Sequence, residues 1–201
     1  MTHQSSVPYT LLSAAPVLAI TSSTNATPIV VTKVAHGLAT GDIITVNGHA
    51  TNTAANGRWT VIRVDADTFS LTGSVGNGIG GGTGCFAPAA KRILVQDFNT
   101  ITLSFDTASS ASMTVKVVGS ISADPPDFAR AQSASNQYDF IDMIDLQNGA
   151  SIDGDTGLAP AGTDDNRMFE ANINGVRWLS VLPTAGTVGT MTVKARCFNN
   201  N

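Results

Sequence analysis

Charge is scarce in this chain. Eleven Lys and Arg and fifteen Asp and Glu among 201 residues make up 13% of the sequence and leave a formal net charge of −4. Attraction to nucleic acid or to an anionic membrane begins with Lys and Arg neutralising phosphates. The basic residues here are scattered without a run, so neither partner is expected. Cysteine is nearly absent. Cys85 and Cys197 lie far apart with no CxxC and no adjacent His, which excludes a zinc ribbon or a disulfide framework and leaves two buried free thiols or, as the alternative, one long-range disulfide. A long apolar run is missing too. Residues 11–20 come closest, but Ser13 and Pro16 interrupt them and no Lys or Arg precedes them, so they read as neither a signal peptide nor a membrane span. A chain made in the cytoplasm is expected, where the Asn25-Ala26-Thr27 sequon has no consequence.

Helical periodicity is the next absence. Pro125-Pro126-Asp127 is the one place where a short helix is expected to start. What the sequence does contain is short runs of Val, Ile, Thr and aromatics bounded by Gly, Asn and Asp, the pattern of strands joined by turns. With 42% apolar residues the chain can bury a substantial core.

The first dense group of such runs spans residues 31–71, with Ile43-Ile44-Thr45-Val46, Trp59 to Val64 and Thr68 to Leu71 separated by His36-Gly37, Gly41-Asp42, Asn56-Gly57 and Asp65-Ala66-Asp67. Asn56-Gly57 is expected to make a two-residue hairpin turn, and the unit to be a partly closed barrel of four or five strands. Residues 73–84 (GSVGNGIGGGTG) read as a flexible linker that ends it. From Arg92 onward Ile101/Leu103/Phe105, Met113/Val115/Val117 and Met191/Val193/Ala195/Cys197 alternate with polar residues, the signature of antiparallel strands with one buried face. Asp every third residue over 138–146 suits a bulged strand. The expected architecture is therefore all-β, comprising an N-terminal arm (1–27), a small β-barrel module with its Gly-rich linker (28–88) and an antiparallel β-sandwich (89–201).

The arm is too apolar for a solvated tail. Tyr9, Leu11, Leu12, Val17, Leu18 and Ile20 either pack on the chain's own domain as an edge strand or cross to a neighbouring subunit and add a strand there. These six are the candidate interface residues.

Chemistry finds little support in the sequence. Gly76-Asn77-Gly78-Ile79-Gly80-Gly81 matches GxGxxG in letters, but no helix can follow it to receive a phosphate. Asp153-Gly154-Asp155-Thr156-Gly157, with Asp164-Asp165, reads as a solvated turn rather than a calcium loop. His36 and His49 read as turn residues, His3 is the remaining histidine, and no GxSxG accompanies them. Two carboxylates for a glycosidase cannot be picked out. Trp59 and Trp178 are expected in the core rather than as exposed sugar platforms. No catalytic residue, metal site or cofactor is expected.

The segment of the form VAHGLxTGDxxTVxG…NGxWTVxxVDxDTFSL resembles a β-module found repeatedly in virion proteins of tailed bacteriophages, often labelled as like a small domain of the ubiquitin-activating enzyme. The resemblance implies a building block of the particle, because neither a nucleotide site nor a nucleophilic cysteine accompanies it. The C-terminal pattern NGxRWLxV…GTxTVKxR is similar to hairpins that close sandwiches in phage structural proteins. The resemblance implies a non-enzymatic virion protein. First comes a capsid decoration or cement protein on the capsid surface, contacting the major capsid protein as a homo-oligomer, with a trimer expected. The alternatives are a tail or fibre module that touches host glycan through residues 73–84 or 151–165, and a tail-tube or head–tail joining protein.

Overall fold

The computed structural model describes residues 5–132, 137–160 and 166–199. The chain is all-β, and no α-helix occurs among the described residues. In chain order the strands are β1 (Tyr9–Pro16), β2 (Leu18–Ala19), β3 (Ser22–Ser23), β4 (Val30–Thr32), β5 (Ile43–Asn47), β6 (Gly57–Arg63), β7 (Thr68–Leu71), β8 (Gly80–Gly81), β9 (Cys85–Pro88), β10 (Ile93–Leu94), β11 (Thr100–Ser120), β12 (Asp139–Phe140), β13 (Met143–Asp145), β14 (Ser151–Ile152), β15 (Asn166–Asn172) and β16 (Trp178–Phe198), with one 3-10 turn at Thr53–Ala55.

The first sheet runs β2-β9-β5-β6-β7-β4-β3-β8. Its ends meet, because β2 and β3 are consecutive parts of one extended segment, as are β8 and β9, and these two segments pair with each other. The ladder thus returns on itself as a small barrel of six segments, more than the four or five expected. Ile44, Val46, Val61, Phe69, Leu71 and Phe86 fill it, all buried. The expected Asn56-Gly57 hairpin turn does not form. Residues 48–56 make a wider loop in which the Asn56 amide bonds both the N–H and the C=O of His49, and Gly57 already pairs with Val46.

The second sheet runs β1-β16-β11-β15-β13-β14, with β10 on β16 and β12 on β11. Its axis is an antiparallel ribbon of two 21-residue strands, β11 and β16. Twenty-one extended residues would span about 70 Å, far beyond the width of a body of this size, so the ribbon bends. Its register slips between Ala108 and Ser112. Along the ribbon one face stays apolar, with Ile101, Leu103, Phe105, Val115, Val117, Leu179, Val181, Val193 and Cys197 in one core. The opposite face is covered near Val118 and Leu182 by a satellite cluster holding Phe128 and Ala129. The expected β-sandwich is thus built largely from two strands.

Residues 125–132 form no helix. The Asp127 carboxylate instead accepts from the N–H groups of Arg58 and Ala129, which pins this loop to the barrel wall. The bulged strand expected over 138–146 is two short strands, β12 and β13, with Asp142 at the bend accepting from Gly154 N–H.

The two sheets share a wall. In β9, Phe86 points into the barrel core while Cys85 and Ala87 point into the sandwich core. Residues 73–84 are part of this arrangement and not a free linker. Gly80–Gly81 pairs with Ser22–Ser23, and a Cβ on Gly84 (φ +80) would lie 2.7 Å from the Asn47 oxygen and the His49 nitrogen. Glycine is used here because two backbones approach closely, not for flexibility.

Candidate interaction surfaces

The apolar N-terminal residues are spent inside the chain. β1 pairs with β16 in register Tyr9 to Ala195 and Pro16 to Thr190. Leu11, Leu12 and Val17 enter the sandwich core and Ile20 the barrel core, all buried, while Tyr9 and Leu18 are half-buried against those cores. The strand passes from one sheet to the other at Val17 without a loop, and Val17 packs so tightly that a Cβ on Gly186 would lie 2.3 Å from its Cγ1. Within one chain, the edge-strand alternative describes this segment.

Two broad surfaces remain open. The first is the outer face of the larger sheet, where Ile144, Leu146 and Met168 are about half exposed. At its end lies a groove of about 500 Å³ lined by Asn99, Thr100, Asp142, Ser151, Glu170 and Asn172, with Ile144 and Asn174 beside them. Most of the residues that line this open groove have polar side chains, and none of them is aromatic. The second surface is the barrel tip, with exposed Val34 and Val64 and a shallow groove of about 460 Å³ lined by Ala35, Gly37, Leu38, Ala39, Arg63 and Ala66.

The candidate chemical residues fall in separate places. His36 is buried beside this tip, its Nδ1 accepting from Leu38 N–H at 3.0 Å and its Nε2 donating to the Asp65 carbonyl at 3.1 Å. Its ring meets the edge of Phe69 at 5.0 Å. Both nitrogens are occupied, so it serves the turn. His49 lies at the other barrel mouth, 1% exposed, with Nδ1 3.3 Å from the Thr83 hydroxyl and Nε2 buried without a partner. No group of three or more His, Cys, Asp or Glu able to hold a metal ion occurs among the described residues. His3, Asp164 and Asp165 lie outside those residues.

Comparison with models of known families, with curated proteins and with solved structures finds no match. No helix among the described residues is long and apolar enough to cross a membrane.

The tryptophans differ from expectation. Both are half-buried rim residues rather than core. Trp59 donates from Nε1 to the Ala55 carbonyl at 2.7 Å and lies under the Arg130 guanidinium, 5.2 Å from the ring centre. Trp178 donates to the Ala123 carbonyl and flanks the satellite cluster. Aromatic rings with a polar edge settle where one side is dry and the other wet.

The cysteines are free and buried. Burial pushes the Cys85 thiol up to about 12, and burial, offset by a hydrogen bond from Ser6, pushes Cys197 up to about 11. Because the thiolate is the reactive form, the folded protein is expected to leave both cysteines unmodified by a thiol-exchange reagent at pH 8. Two thiols should react once denaturant is added, and rapid labelling of the native protein would contradict this burial.

His49 gives a pH dependence. Burial lowers its pKa below the ordinary 6.5, so between the lowered value and 6.5 the unfolded chain binds the proton and the folded chain does not. Stability is then complete above pH 6.5 and falls as the pH drops below it. Urea midpoints are expected to be flat from pH 8 to 7 and to decline from 6.5 to 5.5. His49→Gln should flatten that decline, and an unchanged slope in the variant would assign it to other groups.

The surface missed at the level of sequence is the open sheet face. Thr192, Lys194 and Arg196 alternate with the apolar positions of β16 and so announce a solvent face. That Glu170 and Met168 share that face depends on pairing register, which one sequence does not carry.

Proposed function

We propose that this chain is a non-enzymatic structural protein of a tailed-phage particle, a decoration or cement subunit seated on the capsid surface against the major capsid protein. The observation that carries the reading is the shared wall. A barrel and a sandwich that bury opposite faces of β9 form one stiff body with broad open surfaces, and the module-like segment 31–71 is the part of the sequence that resembles virion building blocks. Stabilising a shell needs rigid contacts repeated over many copies, each burying modest area. The apolar N-terminal strand is committed to the chain's own cores. The capsid contact in this reading therefore uses the open surfaces rather than a free arm.

The groove on the larger sheet supports a second reading, a tail or fibre module holding a host glycan. Asp142, Glu170, Asn99 and Asn172 offer hydrogen-bonding groups to sugar hydroxyls, and Ser151 from the loop region expected to do so is among them.

Immunogold labelling of intact particles with an antibody against this chain separates the readings. Label over the whole head is expected. Label confined to the tail tip would favour the glycan reading, and unlabelled particles would overturn both.

A further inference from the structure

The open face of the larger sheet carries a pattern that complements itself. Pairing register sets its outward side chains in rows across the strands. One row reads Ile144, Glu170, Thr102, Arg196. The next reads Leu146, Met168, Ser104, Lys194, Thr10. The acidic and apolar members stand over β15 and over β13 with the residue that follows it, both cations over β16, and small hydroxyl side chains over β11 between them. Ile144, Leu146 and Met168 are 52%, 50% and 52% exposed.

The edges of this sheet are poor places for growth. β1 is broken by two register shifts and by Ala14 at φ 43, and β14 is two residues long. Kinked or very short edges block strand addition, whereas the face is open.

We propose that this face is the contact surface for a second copy of the chain, packed face to face about a two-fold axis that runs along β11. Rotation about that axis reverses each row onto itself. Glu170 then meets Arg196 of the partner subunit, and Met168 meets the aliphatic stem of Lys194 of the partner subunit, whose ammonium reaches solvent. The small side chains of Thr102 and Ser104 lie on the axis and allow close approach. Isologous contacts of this kind use each pairing twice. Five strands about 4.8 Å apart and three residue pairs along them give a footprint of roughly 24 by 20 Å per copy. Two such faces cover about 1,000 Å², the level at which a specific contact is reached. Asp106, exposed and outward on the same strand, would meet its own copy near the axis and weaken the pair.

The inference does not depend on the virion reading and differs from the threefold ring implied by the resemblance, so solution mass decides it. Light scattering on the eluting 201-residue chain is expected to give twice the chain mass of 20.7 kDa. Glu170→Arg and Arg196→Glu should each weaken association at least tenfold, the double exchange Glu170→Arg with Arg196→Glu should restore it, and Asp106→Asn should strengthen it. Circular dichroism of each variant separates lost association from lost folding. A monomer at high concentration, a trimeric mass, or two folded single reversals that leave association unchanged would overturn the proposal, as would a folded double exchange that fails to rescue.

Discussion

Replacing Asp145 by Ala is expected to destabilise the protein by about 3–5 kcal/mol, the cost of leaving a partly buried guanidinium without its counter-charge. The Asp145 carboxylate is wholly buried. It pairs with Arg167 across two adjacent strands and also accepts from the N–H of Gln147 at 2.9 Å. Arg167 retains one quarter of its exposure, and its guanidinium lies 5.5 Å from the Phe169 ring centre. Without the carboxylate the cation has an aromatic face nearby and little water. Removing both charges is a different experiment. Asp145→Leu with Arg167→Met trades the pair for apolar packing and should cost far less than the single change. Denaturant titration of the three variants checks this, and a single variant within 1 kcal/mol of the parent would show that the pair contributes little.

Phe69→Ala should cost a similar amount, about 3–5 kcal/mol. Phe69 is fully buried at the centre of the barrel, edge-on to Phe86 at 5.1 Å and to His36 at 5.0 Å. Truncation removes both contacts and leaves a cavity between walls that pair around a ring, so the site cannot collapse to fill it. The urea midpoint should fall while the slope of the transition stays unchanged, because Phe86 ties the barrel core to the wall shared with the sandwich. Two separate transitions would mean that the barrel melts alone.

Much of the fold was legible because alternation reports directly on a half-buried strand. Ile101, Leu103 and Phe105, and Met191 to Cys197, lie in the core as their spacing implies. The length of the two central strands was not legible. Residues 106–112 and 183–190 are small, polar or turn-forming and read as breaks, yet both strands run on through them, held by the pairing on either side of the register shifts. Tertiary pairing overrode local preference. The Gly-rich stretch misled for a related reason. Glycine marks flexibility and close backbone approach with the same letter, and Gly84 against Asn47 and His49 is the second case. The surface was less legible than the core. Glu170 and Arg196 share a row with Thr102 between them, although they are distant in sequence and no local motif joins them. The ion pair of Asp145 with Arg167 was hidden in the same way, and it accounts for one of the three regularly spaced aspartates that suggested a bulged strand.

The position of β16 has a consequence for how the protein is made. All pairings of the barrel ring lie within residues 18–88, so that part is free to close while the ribosome is still elongating the chain. The larger sheet waits longer, because the strand that joins β1 to β11 is Trp178–Phe198, which emerges well after the barrel strands. Until then the apolar sides of β1, β11 and β15 have no complete partner, and pairings between the two ends of a chain are slow to find. Until β16 is made, the sandwich side of each new molecule stays incomplete while its barrel side is already able to close.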